Sequence, residues 1–284
     1  MTGWALRASK YVIGLAFVGV LMLALIGSIA GLITDPPKPT AESEFHRHPR
    51  ELSLASDGVF GRFDHRQIQR GFQVFQEVCS ACHSARLVAF RDLKGIGYSD
   101  AQVKAIAAGW KLEQPSVNPE TGEPATRKNM PADRIPMPFA NDVAARAANN
   151  NAVPPDLSLM AKSRHGGASY IYSLLTGYQD QPKELLAKFP EAKTPNGLHY
   201  NPYFANLNLA MPPPLTQDDQ VKYLDGTRAT KEQMAKDVAA FLVWTAEPTM
   251  ETRHQAGLAV VIFLILGSIL AFGAYRSVWA GVKH

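Results

Sequence analysis

Cysteine is nearly missing from this chain. Of 284 residues only two are cysteines, Cys79 and Cys82, so neither a disulfide framework nor a four-cysteine zinc or iron–sulfur site can be built. Also missing are an internal repeat, a phosphate-cradling glycine loop, a Gly-x-Ser-x-Gly elbow and any convincing run of paired strands, which removes solenoids, nucleotide-binding P-loops and α/β-hydrolases. Excess charge is scarce where it would matter. Arg7, Lys10, Arg276 and Lys283 lie at the ends with no acid beside them. Between them basic and acidic residues balance, so the basic pI gives no support to nucleic-acid binding.

Long apolar runs, by contrast, are present at both ends. Tyr11 to Ile33 is 23 residues without a charge, and Ala256 to Tyr275 is 20; each can cross a hydrocarbon core of ~30 Å as a helix. The flanking cations place both termini in the cytoplasm and the middle on the far side of the membrane, with Arg253 and His254 weakening the asymmetry at the second run without reversing it. The first run can also be read as a cleaved signal peptide, with Ser28-Ile29-Ala30 at the cleavage point, but its length exceeds an ordinary signal core and favours a retained anchor. The expected organisation is therefore an N-terminal transmembrane helix or signal-anchor over 1–34, a linker and lead-in over 35–64, a globular domain over 65–250, and a C-terminal anchor with a short tail over 251–284.

Asp35-Pro36-Pro37-Lys38-Pro39 predicts an extended, stiff spacer. Over 65–78, Ile68, Phe72, Phe75 and Val78 recur at helical spacing, and Gly71 allows another helix to approach. Thr230-Lys231-Glu232-Gln233 matches a capping box ahead of Met234, Val238, Phe241 and Leu242, and that helix is expected to pack on the one at 65–78. Shorter helices are expected over 100–109, 141–149 and 168–176. The Pro-, Asn- and Gly-rich stretches 114–138 and 192–214 predict long ordered loops.

Both cysteines stand in Cys79-Ser80-Ala81-Cys82-His83, the attachment pattern of a c-type haem. Two thiols three residues apart can add to the two haem vinyl groups, and the next residue, His83, is carried under the iron as an axial ligand. The rival thiol–disulfide reading lacks its usual βαβ context. One covalent haem c is therefore expected, with a second axial ligand from elsewhere. Met160 and Met234 read as core, Met130 and Met137 lie in a polar loop, and His165 and His199 compete. Met211 is the better candidate, because an apolar segment leads to it and Pro212-Pro213-Pro214 fixes the backbone after it. Arg164 and Tyr170 can supply a charge-assisted and a phenolic hydrogen bond to haem propionates, although these residues alone favour an Arg164 simply solvated at a helix start.

Taken together, several stretches closely resemble the cytochrome c1 family, the haem subunit of the quinol:cytochrome c oxidoreductase or bc1 complex, in its bacterial type. They are Arg70 to Phe75, Cys79 to His83, Ala144 to Asn150, Pro154-Pro155-Asp156-Leu157-Ser158, Arg164-His165-Gly166-Gly167, Asn201-Pro202-Tyr203-Phe204, Met211 to Pro214 and Ala239 to Pro248. The resemblance implies a mainly α, class I cytochrome c-like haem domain with long loop insertions. In it Cys79 and Cys82 bind the haem, His83 and Met211 ligate the iron, Arg164 and Tyr170 meet a propionate, and Asn149 and Pro155 line the pocket. It also implies cytochrome b, a Rieske iron–sulfur donor and a cytochrome c acceptor as partners, in a dimeric complex of the cell inner membrane with the haem domain periplasmic. The subunit itself would carry electrons and convert no substrate. The front departs from the family pattern, which has a cleaved presequence and one C-terminal anchor. Two other readings are a stand-alone membrane-tethered cytochrome serving a terminal oxidase, against which the roughly 130 residues between His83 and Met211 argue, and a haem-based sensor, which needs an open iron position.

Overall fold

The computed structural model describes residues 2–36 and 38–282, with residues 2–7 described by their backbone alone. Pro37, inside the expected spacer, Lys283, one of the flanking cations, and the side chain of Arg7 lie outside the described residues. The chain divides into two compact units, Met1–Glu44 and Phe45–His284.

The first unit is chiefly α1 (Thr2–Thr34). Its apolar side chains from Tyr11 to Ile33 are exposed; Leu15 is 71% and Leu23 72% exposed, a surface suited to lipid. A one-turn helix, α2 (Ala41–Phe45), follows at the unit boundary, its start closed by a reciprocal pair in which Thr40 N donates to Ser43 Oγ at 2.9 Å and Ser43 N to Thr40 Oγ1 at 3.2 Å.

The second unit is built on α3 (His65–Glu77) and α9 (Lys231–Ala246), which pack as the sequence leads one to expect. Asp64 caps α3 by accepting from Arg66 N and Gln67 N, and Thr230 caps α9 by accepting from Gln233 N at 3.1 Å. Gly71 is required at the crossing, since a Cβ there would stand 2.0 Å from Asp237 O. Phe72 and Phe75 meet Phe241 at ring separations of 5.6 and 5.4 Å, and both stack on Trp110. The carboxylate of Asp237 is fully buried in this seam, and its charge is matched by Arg70 Nε at 2.8 Å, Gln67 Nε2 at 3.0 Å and Gln233 Nε2 at 2.8 Å. Such a charge is tolerable only with this number of donors.

Between them run α4 (Asp100–Ala108), α5 (Asp142–Ala148), α6 (Met160–Ser163), α7 (Gly167–Thr176) and α8 (Lys183–Lys188), with 3-10 turns at Cys79–Ala81, Phe90–Ile96 and Pro190–Ala192. The fold is mainly helical. The stretch expected to be loop over 114–138 contains an antiparallel hairpin, β1 (Gln114–Val117) on β2 (Pro124–Arg127), and a second pair, β3 (His199–Tyr200) with β4 (Asn208–Leu209), lies in the other loop. Strands of four and two residues are too short to show an apolar alternation, and Pro115 and Pro124 read as breakers although they are admissible in an isolated two-stranded ribbon. Arg127 grips Asp133 with both terminal nitrogens, at 2.6 and 2.8 Å, and holds its carboxyl down at about 2, fastening the hairpin to the loop after it.

α10 (Met250–Trp279) closes the chain. Like α1 it is long and apolar enough to cross a membrane, and the apolar part of it is unburied.

Candidate functional site

α3 sets the position of the attachment residues. At its end the helix tightens into one 3-10 turn, with Cys82 N and His83 N both donating to Cys79 O, at 3.1 and 2.9 Å. This turn holds Cys79, Cys82 and His83 together at one corner of the core. Both thiols are free, Cys79 half-buried against the core and Cys82 exposed. Burial, with a smaller contribution from Cys82, pushes the Cys79 thiol up to about 12.

The imidazole of His83 is oriented by a backbone atom. Its Nδ1 lies 2.8 Å from Pro155 O; a carbonyl can only accept, so Nδ1 carries the proton and Nε2 keeps a free lone pair. Burial lowers the pKa of the ring, outweighing the Pro155 carbonyl and Asp156, which raise it. A neutral imidazole with a carbonyl behind it is the form in which histidine binds a metal.

The segment supplying that carbonyl is sewn to the residues after His83. Leu157 N donates to Ser84 O at 2.8 Å, Leu87 N to Ser158 Oγ at 3.0 Å, and the Asp156 carboxylate accepts from Ser84 Oγ at 2.7 Å and Arg86 N at 2.8 Å. Burial pushes the Asp156 carboxyl up, but these bonds and those from Ser158 bring it below its ordinary value. Ser84, Asp156 and Ser158 thus hold Pro155 behind the His83 ring, and sequence reasoning missed that role. Their only signal was inclusion of Asp156 and Ser158 in the Pro154 to Ser158 motif.

A second group gathers at the end of α7. Tyr178 Oη donates to Met211 O at 3.0 Å. Burial, helped by nearby Tyr170, raises the Tyr178 phenol, so it remains a protonated donor. Asn201, fully buried, donates through Nδ2 to Leu174 O at 2.8 Å, and the Tyr203 ring lies so close to Gly177 that a Cβ there would come within 2.4 Å. These contacts hold the loop from β3 to Met211 against α7. Tyr170 is half-buried on α7; Arg164 caps the end of α6 and is exposed, its charge partly opposing the rise that burial causes in the Tyr170 phenol. The structure therefore groups Arg164, Tyr170, Tyr178 and Met211. Tyr178 carried no sequence signal.

The remaining candidates divide. Pro155 belongs to the His83 group. Asn149 ends α5 and donates back to Ala145 O at 2.8 Å, and Asn150 joins this turn to Gly197 O at 2.9 Å. Met234 is buried in the core, whereas Met130 and Met137 are exposed by 51% and 57%. An open cleft of about 550 Å³, lined by Tyr178, Thr194, His199, Tyr200 and Pro213 among others, borders the Met211 group but includes none of the attachment residues. The donor set rather than the cleft identifies the chemistry: two thiols and a neutral imidazole on one turn, with a thioether on a braced loop, fit a c-type haem.

Comparison with known proteins agrees with a haem cofactor. The model of the Cytochrome C1 family matches residues 54–282. The chain is 47% identical to "Cytochrome c1" of Rhodospirillum rubrum over 80% of its own length and 86% of that protein's. It is 44% identical to "Cytochrome c1, heme protein, mitochondrial" of Saccharomyces cerevisiae, over 85% of this chain and 75% of the yeast one. With "Cytochrome b-c1 complex catalytic subunit, mitochondrial" of Candida albicans it shares 43% identity, over 85% and 81%.

Proposed function

The chain belongs to the Cytochrome C1 family, and on that footing we propose that it is the haem-carrying electron-transfer subunit of a cytochrome b–c1 complex, accepting single electrons from a Rieske iron–sulfur protein and passing them to a cytochrome c. The observation that carries this reading is the turn at Cys79–His83 with His83 Nδ1 tied to Pro155 O. The relatives' own names, as haem proteins and as a subunit of the cytochrome b–c1 complex, support it.

In this reading Cys79 and Cys82 would hold one haem c through thioether links, and His83 Nε2 and Met211 Sδ would ligate its iron. Bound there, the group supplies a one-electron ferric–ferrous couple. The chain's own part is positioning and tuning. Pro155 O fixes the imidazole tautomer and strengthens it as a donor. Tyr178 fixes the main chain at Met211, and the thioether, a weak donor, favours the reduced state and a higher potential. Arg164 and Tyr170 would meet propionates, and Asn149 and Pro155 would line the pocket. α1 and α10 anchor the chain in the cell inner membrane with termini cytoplasmic and the domain between them periplasmic, beside cytochrome b in a dimeric assembly.

The test is to purify the chain from its native membrane in mild detergent, record the reduced haem spectrum and identify what accompanies it. A c-type band together with a b-haem protein and an iron–sulfur protein is expected; a haem c chain that arrives alone overturns membership of the complex.

A further inference from the structure

The loop before α3 is built rigidly, yet it exposes two adjacent large apolar side chains. Asp57 N donates to Leu54 O at 3.1 Å, Gly61 N to Gly58 O at 3.1 Å and Arg62 N to Ala55 O at 2.8 Å, while Asp57 Oδ2 accepts from Leu54 N at 2.8 Å. Gly58 takes φ +79°, and at Gly61 a Cβ would stand 2.1 Å from Ser56 O, so both glycines are needed to make the turn. At its tip Val59 is 75% and Phe60 78% exposed. The energetic preference of such a pair is to leave water, and nothing among the described residues meets it.

The base of this loop is fastened to the membrane-crossing helix. Phe63 N donates to Glu251 Oε1 at 2.6 Å, in the first turn of α10. Glu251 precedes the apolar run at Ala256 by five residues, a rise of roughly 7.5 Å along a helix. Phe63 is thereby held at about the depth of lipid headgroups, and Val59 and Phe60 are four and three residues away, within a reach of about 10 to 14 Å. Arg62 and Arg66 are exposed beside the tip and suit phosphate groups, while the neighbouring acids are engaged, Asp57 with Leu54 N and Asp64 as the cap of α3.

We propose that Val59 and Phe60 insert into the bilayer interface beside α10, so that the globular domain rests on the lipid surface at this loop as well as through its anchor. A lipid occupant is favoured over a protein one by continuity with α10 and by the paired arginines. The inference rests on α10 entering the bilayer, and the experiment separates the two.

Full-length, haem-loaded Val59→Cys chain in its native assembly would be spin-labelled in lipid nanodiscs with the iron reduced, and the label's accessibility to oxygen and to a polar nickel chelate compared. The native cysteines are consumed by the haem, and wild-type assembly treated identically gives the background. Leu264→Cys on α10 serves as the membrane reference and Leu224→Cys, at a site 97% exposed, as the aqueous one. Expected is an oxygen-favoured ratio at position 59, several-fold above that at 224, which falls to the aqueous value when Phe60→Asp is added. An aqueous ratio at 59 with an oxygen-favoured one at 264 overturns the proposal alone. Exclusion of both reagents at 59 means a protein covers the loop and also overturns it, and an aqueous ratio at 264 overturns both the proposal and the anchoring of α10.

Discussion

Around His83 the fold holds the functional side chain itself, while around Met211 it holds the main chain. The imidazole is hydrogen-bonded directly to Pro155 O, and behind it the 84–87 and 154–158 segments exchange a set of bonds centred on Asp156. At Met211 the recorded contact is to the carbonyl, from Tyr178 Oη, with Asn201 and Tyr203 bracing the loop upstream. The difference suits the two proposed ligands. An imidazole needs its tautomer chosen, which requires a bond to the ring. A thioether offers no N–H to choose and is a weak donor, so the chain can only deliver it to a place and stiffen the backbone that carries it.

The largest effect is expected at the proposed covalent links beside His83. Cys79→Ser and Cys82→Ser together are expected to abolish covalent haem, seen as loss of haem stain on a denaturing gel, whereas Tyr178→Phe leaves that stain intact. Next in size is Asp156→Asn. The amide keeps one acceptor oxygen where the carboxylate uses both, and losing charge-assisted bonds in a half-buried place costs on the order of 2 kcal/mol in denaturant unfolding.

The same carboxylate gives a pH signature. Its folded-state pKa is held below the ordinary value, so its contribution to stability is fully present above the unfolded pKa of about 3.9 and is lost as pH falls below that. The native chain is expected to lose stability steeply on acidification below about pH 4, and Asp156→Asn to show a shallower acid limb. An unchanged limb would remove Asp156 from the account.

Smallest is Tyr178→Phe. It removes one neutral hydrogen bond to a carbonyl, worth about 1 kcal/mol, and acts on the Met211 side alone. The expected result is weakened thioether ligation, read as partial loss of the ferric sulfur–iron charge-transfer band on mild warming, with His83 ligation and covalent haem unchanged.

How much of this was legible beforehand follows from the range over which each signal acts. The cysteine–histidine motif, the apolar runs, the cap at Thr230 and the need for Gly71 at a helix crossing are local features, each readable in a few neighbouring residues. The α3–α9 packing followed from two amphipathic faces. Illegible were contacts made across long separations by residues of ordinary type. Tyr178 reaches Met211 across 33 residues, and Ser84 meets Asp156 across 72; neither tyrosine nor serine advertises such a partner. The hairpin at 114–127 escaped because its strands are short and begin with or contain proline. Met211 itself was singled out by the prolines after it and by family resemblance, and no spacing rule links it to Cys79.

The central claim, one covalent haem held between His83 and Met211, is tested most directly by near-infrared magnetic circular dichroism of the ferric native assembly beside its Met211→Leu variant. The native chain is expected to show the signature of histidine–methionine ligation, and the variant to lose it while keeping its covalent haem. Survival of that signature in Met211→Leu would contradict the account and require another residue on the iron.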